Sequence, residues 1–197
     1  MPHIATFQNP FAGKRLVPGT MEYVDPDTAT ADFVSTAAER FFNSGVGQIV
    51  GPHGCGKTSL ARAICDELRA NYQTIRFVVV RNKHKIETVS EDARTSSKKT
   101  ELLVVDGIEQ LSILHRRSLL SVGKNQSGCK NVLITSHRKH FGWPVIQELS
   151  PTLPHFVRLA TRLCPNQLTE KEFSQAFELA GGDYRKAFMR LYDVWQR

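Results

Sequence analysis

The chain has 197 residues, of which 41% are hydrophobic. This is enough for one α/β domain with a small appendage, and it excludes global disorder. The net charge of +7 favours anionic partners such as nucleotides, nucleic acid or acidic lipid. The longest apolar runs, Phe77–Val80 and Leu102–Val105, are far shorter than the roughly 18–20 residues of a membrane-spanning helix, so we expect no membrane partner.

The four cysteines carry no sign of a disulfide framework or a metal site. They form no CxxC pair and, with the histidines, no zinc-finger spacing. The first ten residues lack the charged and apolar parts of a secretory signal. We therefore expect a cytoplasmic protein with reduced thiols at Cys55, Cys65, Cys129 and Cys164.

In chain order, residues 1–30 are predicted to be an extended N-terminal arm, with Thr20–Val24 a candidate short strand. Residues 31–165 alternate between helical patterns and short apolar runs, which is typical of a parallel sheet with helices on both faces. The polar segment Arg81–Thr100 is predicted to be a long loop. The five predicted strands are Val46–Val50, Thr74–Val80, Glu101–Val105, Asn131–Thr135 and His155–Leu159.

Residues 166–197 are predicted to form a small helical lid. Thr169 and Glu172 have the spacing of a capping box, which marks a helix start. Gly181 and Gly182 end that helix, and Asp183 can cap the next one. We therefore expect two amphipathic helices after the last strand.

Residues 51–58 read G-P-H-G-C-G-K-T and match the phosphate-binding loop pattern at every fixed position. The glycines allow the loop amides to turn inward around an anion, and the following helix aims its positive end at the same point. Lys57 can reach the β- and γ-phosphates of a nucleoside triphosphate such as ATP, and Thr58 can ligate Mg²⁺. The predicted nucleotide contacts are Gly51, Pro52, His53, Gly54, Cys55, Gly56, Lys57, Thr58 and Ser59.

A second motif is the acidic residue that follows the apolar run Leu102–Val105. Asp106 ends this predicted strand at the edge of the sheet that faces a ligand crevice, so it is the other candidate for the Mg²⁺ shell. The next residue is Gly107, and Glu109 is the nearest carboxylate that can orient an attacking water. The alternative is that Glu109 only offsets a helix dipole.

Together these motifs resemble the additional-strand ATPases, the P-loop group that includes AAA+ proteins, over roughly residues 31–197. The resemblance implies a three-layer P-loop NTPase fold with strand order 5-1-4-3-2. It also implies that Thr135 or Ser136 touches the γ-phosphate or its water, and that Arg185 approaches the phosphates from the lid. The plainer alternatives are an ordinary strand end at Thr135-Ser136 and a solvated arginine at position 185.

The sequence departs from AAA+ proteins in its D-G-x-E motif and its short lid. It looks closest to compact bacterial ATPases such as helicase loaders and transposition helper proteins. In such ATPases a neighbouring subunit can supply an arginine finger. A homo-oligomer of this chain would offer several candidate arginines for that role. They are Arg116, Arg117, Arg138 and Arg162.

Several short basic segments favour contact with nucleic-acid phosphates, although ordinary solvated loops explain them equally well. They are Arg81–Lys85, Lys98-Lys99, Arg116-Arg117 and Arg138–His140. We expect a Mg²⁺-dependent ATPase that acts as a switch or motor on a nucleic-acid or protein partner. The alternatives are a small-molecule or nucleotide kinase and a non-hydrolysing module in which the nucleotide stabilises an interface.

Overall fold

The computed structural model describes residues 9–12, 23–24, 30–80, 101–124, 131–165 and 167–196. Five strands form one sheet: β1 Val46–Val50, β2 Thr74–Val79, β3 Glu101–Asp106, β4 Asn131–Ser136 and β5 Val145–Glu148. They lie in the order β2-β3-β4-β1-β5, and every pair is parallel. Read from the other edge, this is the predicted order 5-1-4-3-2, which is confirmed.

Helices cover both faces of the sheet: α1 Thr30–Ser44, α2 Lys57–Glu67, α3 Ile113–Lys124, α4 Leu153–Leu163, α5 Glu170–Leu179 and α6 Tyr184–Trp195. Short 3-10 turns occur at Leu68–Ala70 and Ile108–Gln110. Along β3, Leu102 and Val104 pack with α1 and α2, whereas Leu103 and Val105 pack with α3. Side chains therefore alternate between the two faces, as strand geometry requires.

The predicted fifth strand, His155–Leu159, is wrong because these residues lie in α4. Thr152 caps this helix by accepting a hydrogen bond from the His155 backbone, and Pro154 occupies the first turn, where its missing N–H costs nothing. The true β5 is an edge strand in which only Ile146 is buried. A strand so short and so exposed carries almost no hydrophobic pattern.

The connection between β4 and β5, residues 137–144, contains neither helix nor strand. We call it the β4–β5 loop. Trp143 at its end is buried and joins the apolar cluster on the α3 side of the sheet. The end of this loop is therefore packed into the core on that face of the sheet.

The C-terminal helices α4, α5 and α6 pack around one apolar cluster that contains Phe156, Phe173 and Phe188. This is one helix more than we predicted. The capping box of Thr169 and Glu172 is present. The division into an arm, 1–30, a core, 31–165, and a lid, 166–197, stays a prediction.

The N-terminal arm is described only in part. Phe11 packs among the C-terminal helices, and Tyr23 packs with the cluster around α1 and α2. Tyr23 and Val24 are not in a strand, and the rest of the predicted strand Thr20–Val24 lies outside the described residues, as does the predicted loop Arg81–Thr100. Among the helices described, none is long and apolar enough to cross a membrane.

Candidate functional site

The loop between β1 and α2 curls around Lys57. Gly54 and Gly56 adopt positive φ angles of 72° and 93°, a region that side chains disfavour. Gly56 is the N-cap of α2 and has no side chain to satisfy the first amides of the helix. The helix start is therefore available to an anion.

The Lys57 side chain is buried inside this curl. Its Nζ donates hydrogen bonds to the carbonyl oxygens of Gly51, at 2.7 Å, and Pro52, at 2.6 Å. A Cβ at Gly51 would lie 2.6 Å from the Leu149 carbonyl oxygen, so this position has no room for a side chain. The loop thus holds the ammonium group at the centre of the predicted phosphate site.

Asp106 lies at the carboxyl end of β3 with both of its oxygens engaged. The Thr58 hydroxyl donates to Oδ2 at 2.8 Å, and the Thr135 hydroxyl donates to Oδ1 at 2.6 Å. Thr135 also accepts a hydrogen bond from the Gly107 backbone at 2.9 Å. Three predicted site residues from α2, β3 and β4 therefore form one hydrogen-bonded chain beside the loop.

The donor set at this point suits Mg²⁺, which prefers oxygen ligands and takes only one or two from the protein. The Thr58 hydroxyl and the Asp106 carboxylate are adjacent hard oxygen donors. Among the described residues, no group of three or more His, Cys, Asp or Glu side chains is suited to hold a metal by itself. The residues present therefore fit an ion shared with a bound nucleotide.

Glu109 faces the same region. Gly107, with φ of 84°, turns the chain after β3 and places Glu109 in the 3-10 turn. Its Oε1 accepts a hydrogen bond from the backbone N–H of His137, and lies 3.8 Å from Nδ1 of that histidine. The His137 ring in turn packs against the ring of His53, with centroids 3.8 Å apart.

The contact between these two histidines escaped the sequence reasoning, which counted His53 among the nucleotide contacts and gave His137 no role. Burial lowers the pKa of His137, and nearby Lys57 and His53 lower it further, against the opposing effect of Glu109. The only sequence signal for His137 was its position directly after the β4 strand. Its contact with Glu109 depends on the neighbouring order of β3 and β4.

A cavity of about 650 Å³ lies between the phosphate loop, the ends of β3 and β4, and the C-terminal helices. Tyr23 and Val24 of the arm line it, as do Leu159 of α4 and Phe188 of α6. Most of the predicted site residues line this cavity too: His53, Gly54, Cys55, Gly56, Lys57, Thr58, Ser59, Asp106, Glu109, Thr135 and Arg185.

Three predicted residues do not line the cavity: Gly51, Pro52 and Ser136. Ser136 is fully buried and its hydroxyl donates to the Arg138 carbonyl oxygen at 2.7 Å. Of the two hydroxyls proposed to reach the γ-phosphate, the structure therefore brings only Thr135 to the site. Gly51 and Pro52 contribute through the carbonyls that hold Lys57.

Asp183 is a further residue that sequence reasoning saw only as a helix cap. It caps α6 by accepting from the Lys186 backbone at 3.1 Å. Its carboxylate also lies against the phosphate loop, since a Cβ built on Gly54 would be 2.1 Å from Oδ1. The last helix therefore touches the loop through an acidic side chain.

Comparisons with known proteins agree with this geometry. Residues 48–138 match the family described as ATPase family associated with various cellular activities (AAA). This range starts in β1 and ends just after β4, so it contains the phosphate loop, Asp106, Glu109 and Thr135. The comparison with curated proteins finds no match.

The fold is similar to that of two solved RuvB mutants of Thermotoga maritima. One has a TM-score of 0.52 and 19% identity, over 82% of this chain and 59% of RuvB. The other has a TM-score of 0.53 and 18% identity, over 83% of this chain and 60% of RuvB. This chain thus spans about three fifths of those chains, and at such identities the likeness concerns the fold alone. Taken together, the strand order and the loop around Lys57 show a P-loop NTPase fold, and residues 48–138 within it are similar to AAA ATPases.

Proposed function

We propose that this protein is a Mg²⁺-dependent ATPase that works as a switch or motor on a partner molecule. The observation that carries the proposal is that Thr58 and Thr135 both donate hydrogen bonds to Asp106, beside the buried ammonium of Lys57. In this proposal Lys57 and its loop would cradle the phosphates, Thr58 and Asp106 would supply oxygen ligands, and Thr135 would lie near the γ-phosphate. A structural turn that merely contained Gly and Lys would need none of the other parts.

The loop residues supply the binding step. The amides of the loop and the uncapped start of α2 face an incoming triphosphate, and Lys57 exchanges its two carbonyl acceptors for phosphate oxygens. A bound Mg²⁺ would neutralise charge on the β- and γ-phosphates, with Thr58 and Asp106 as its protein ligands. The apolar side chains Leu159 and Phe188 and the ring of Tyr23 line the part of the cavity that suits a base.

Glu109 is the candidate that orients the attacking water. Its hydrogen bond from the His137 backbone fixes one carboxylate oxygen, which leaves the other to face the cavity. Thr135, at the end of β4, lies on the same side. These positions support a water held in line with the γ-phosphate, the arrangement that phosphoryl transfer to water needs.

A connection between the site and the C-terminal helices supports the switch. Arg185, in the first turn of α6, lines the cavity, and Asp183, the N-cap residue of the same helix, contacts Gly54. A triphosphate in the loop attracts the first side chain and repels the second. The position of α6 therefore depends on whether the γ-phosphate is present.

The test uses two variants of the full chain with a matched control. Lys57→Ala should weaken binding of a fluorescent ATP analogue with Mg²⁺ at least 100-fold. Glu109→Gln should bind ATP normally but release phosphate about 10²- to 10⁴-fold more slowly, the usual contribution of a positioned acid or base. Glu170→Gln, an exposed carboxylate on α5, should behave as wild type.

Two results would contradict the proposal. One is a wild-type protein that releases no phosphate, with or without DNA, because the nucleotide would then only stabilise an interface. The other is rapid transfer of the γ-phosphate to a nucleoside or nucleotide in an acceptor screen, because that would identify a kinase.

A further inference from the structure

The β4–β5 loop presents an aromatic side chain to solvent directly after a basic segment. Phe141 is 92% exposed, the highest value among the exposed large apolar residues described. It follows Arg138, Lys139 and His140 directly in sequence, and the first two of these are exposed. A phenylalanine ring so accessible to water loses the burial that normally accompanies an aromatic residue.

The loop around this ring is anchored rather than free. The buried side chain of Gln48 in β1 donates to the carbonyls of His140, at 3.0 Å, and Trp143, at 2.7 Å, and accepts from the His140 backbone at 2.9 Å. The indole N–H of Trp143 donates to the Leu120 carbonyl at 3.0 Å. Phe141 therefore sits on a fixed support, and a ligand that binds it needs to order little additional chain.

The combination of groups favours one class of ligand. An exposed ring with adjacent cations is the arrangement that holds a single-stranded nucleic acid, since bases stack on aromatic faces and Arg or Lys contacts phosphates. A stable protein–protein interface buries about 1,200–2,000 Å² in total, which is roughly 800 Å² on each partner. On this loop the exposed apolar surface consists of Phe141, with Val145 of β5 beyond it.

We propose that the β4–β5 loop binds single-stranded nucleic acid, with a base stacked on Phe141 and the backbone phosphates beside Arg138 and Lys139. Lys139 contacts Glu148 at 2.7 Å, an exposed pair that a phosphate can replace at low cost. The inference rests on the proposed function, because it names the partner class of that ATPase.

The same loop begins at the hydrolytic site. His137, its first residue, donates its backbone N–H to Glu109, and His140 lies within electrostatic range of both Glu109 and Arg116. Arg116 in turn donates to the Glu109 carbonyl oxygen at 2.7 Å. A nucleic acid bound to the loop therefore acts on the backbone that positions Glu109. We expect single-stranded DNA to change the rate of ATP hydrolysis.

The experiment measures binding of a fluorescein-labelled oligonucleotide of thymidine by anisotropy, with the full chain and without nucleotide. Phe141→Ala should weaken binding roughly 5- to 100-fold, which is the usual effect of losing one stacked base, and Phe141→Trp should restore it. Arg138→Gln should weaken binding and reduce its salt dependence by about one phosphate contact. The matched control is Phe42→Ala, since Phe42 is also exposed, at 49%, but lies on α1. It should bind as wild type.

Equal affinities for wild type, Phe141→Ala and Phe42→Ala would overturn the proposal. So would a Phe141→Ala variant that alters ATP turnover with a protein extract but binds the oligonucleotide normally, because the loop would then be a protein contact. Loss of ATP binding in Lys57→Ala with intact oligonucleotide binding leaves this inference standing. Failure of hydrolysis and failure of strand binding are therefore measured separately.

Discussion

Cys55 lies inside the phosphate loop, where the sequence alone leaves its reactivity undecided. In the fold it is buried, and burial raises the pKa of its thiol more than the nearby Lys57 lowers it. Because only the thiolate reacts, we predict that native Cys55 resists alkylation at neutral pH. A time course with iodoacetamide and mass spectrometry should find it labelled only after denaturation, as for Cys65, whose pKa burial raises to about 12. Fast labelling of native Cys55 would contradict this environment.

Titration of His137 makes the free energy of unfolding depend on pH, and the surroundings of the ring fix the sign of this dependence. Burial lowers its pKa below the ordinary value near 6.5, so the unfolded chain binds a proton that the native chain resists. The contribution of neutral His137 to the free energy of unfolding is therefore complete above about pH 6.5 and is lost as the pH falls below that value. The pKa of His140 is lowered in the same direction, again first by burial.

We therefore predict that the free energy of unfolding, measured by urea titration, is smaller at pH 5.5 than at pH 7.5. In His137→Asn this difference should shrink, because the variant lacks one of the histidines whose pKa is lowered in the native state. An unchanged difference in the variant would show that His137 does not contribute.

Short motifs could be predicted from local sequence because each one carries its own chemistry. The glycines and Lys57 define the loop, and a run of buried apolar residues ending in Asp106 defines the strand beside it. The pairing of Glu109 with His137 could not be predicted, because it depends on β3 and β4 being neighbours in the sheet. The position of Asp183 against Gly54 likewise depends on how α6 packs.

Strands and helices with strong patterns were predicted closely, and the weakly patterned edge was not. β1 has the predicted bounds Val46–Val50. In contrast, His155–Leu159 was assigned to a strand because its composition is apolar, although Thr152 and Pro154 mark a helix start. The error arose because local apolar character was weighted above the capping signal, while the true edge strand β5 buries too little surface to be visible.

The contact between α6 and the phosphate loop leads to a prediction for Asp183. Asp183→Asn should keep the helix cap, since asparagine caps as well as aspartate, and the free energy of unfolding should change by less than about 0.5 kcal/mol. It also removes a negative charge beside Gly54, so we expect ATP to bind about two- to fivefold more tightly.

The matched control for this change is Asp193→Asn, on the exposed far part of the same helix. It alters the net charge equally and should leave ATP affinity unchanged. Weaker ATP binding in Asp183→Asn would show that the carboxylate supports the loop instead of opposing the phosphates.

The N-terminal arm contacts both the C-terminal helices and the apolar cluster around α1 and α2. Phe11 is 1% exposed and packs on Phe188 and Trp195, with ring centroids 6.0 and 6.2 Å apart. Asn9 donates to the Tyr192 carbonyl at 3.1 Å, which fixes this segment on α6. Further along, Tyr23 stacks on Phe33 of α1 and lines the cavity beside the phosphate loop. The arm therefore contacts the C-terminal helices, the core and the site in turn.

We predict that Phe11→Ala lowers the free energy of unfolding by about 3–5 kcal/mol, the usual cost of removing a fully buried phenylalanine. Phe42→Ala, a half-exposed ring on α1, should cost far less. Because Phe11 belongs to the cluster of α4, α5 and α6, its loss should loosen these helices before the sheet, and limited proteolysis should cut the variant first after residue 150. Urea titration measures the first effect and mass spectrometry of the fragments the second. Equal stability of the two variants, or first cleavage within the sheet, would mean that the arm does not hold the C-terminal helices in place.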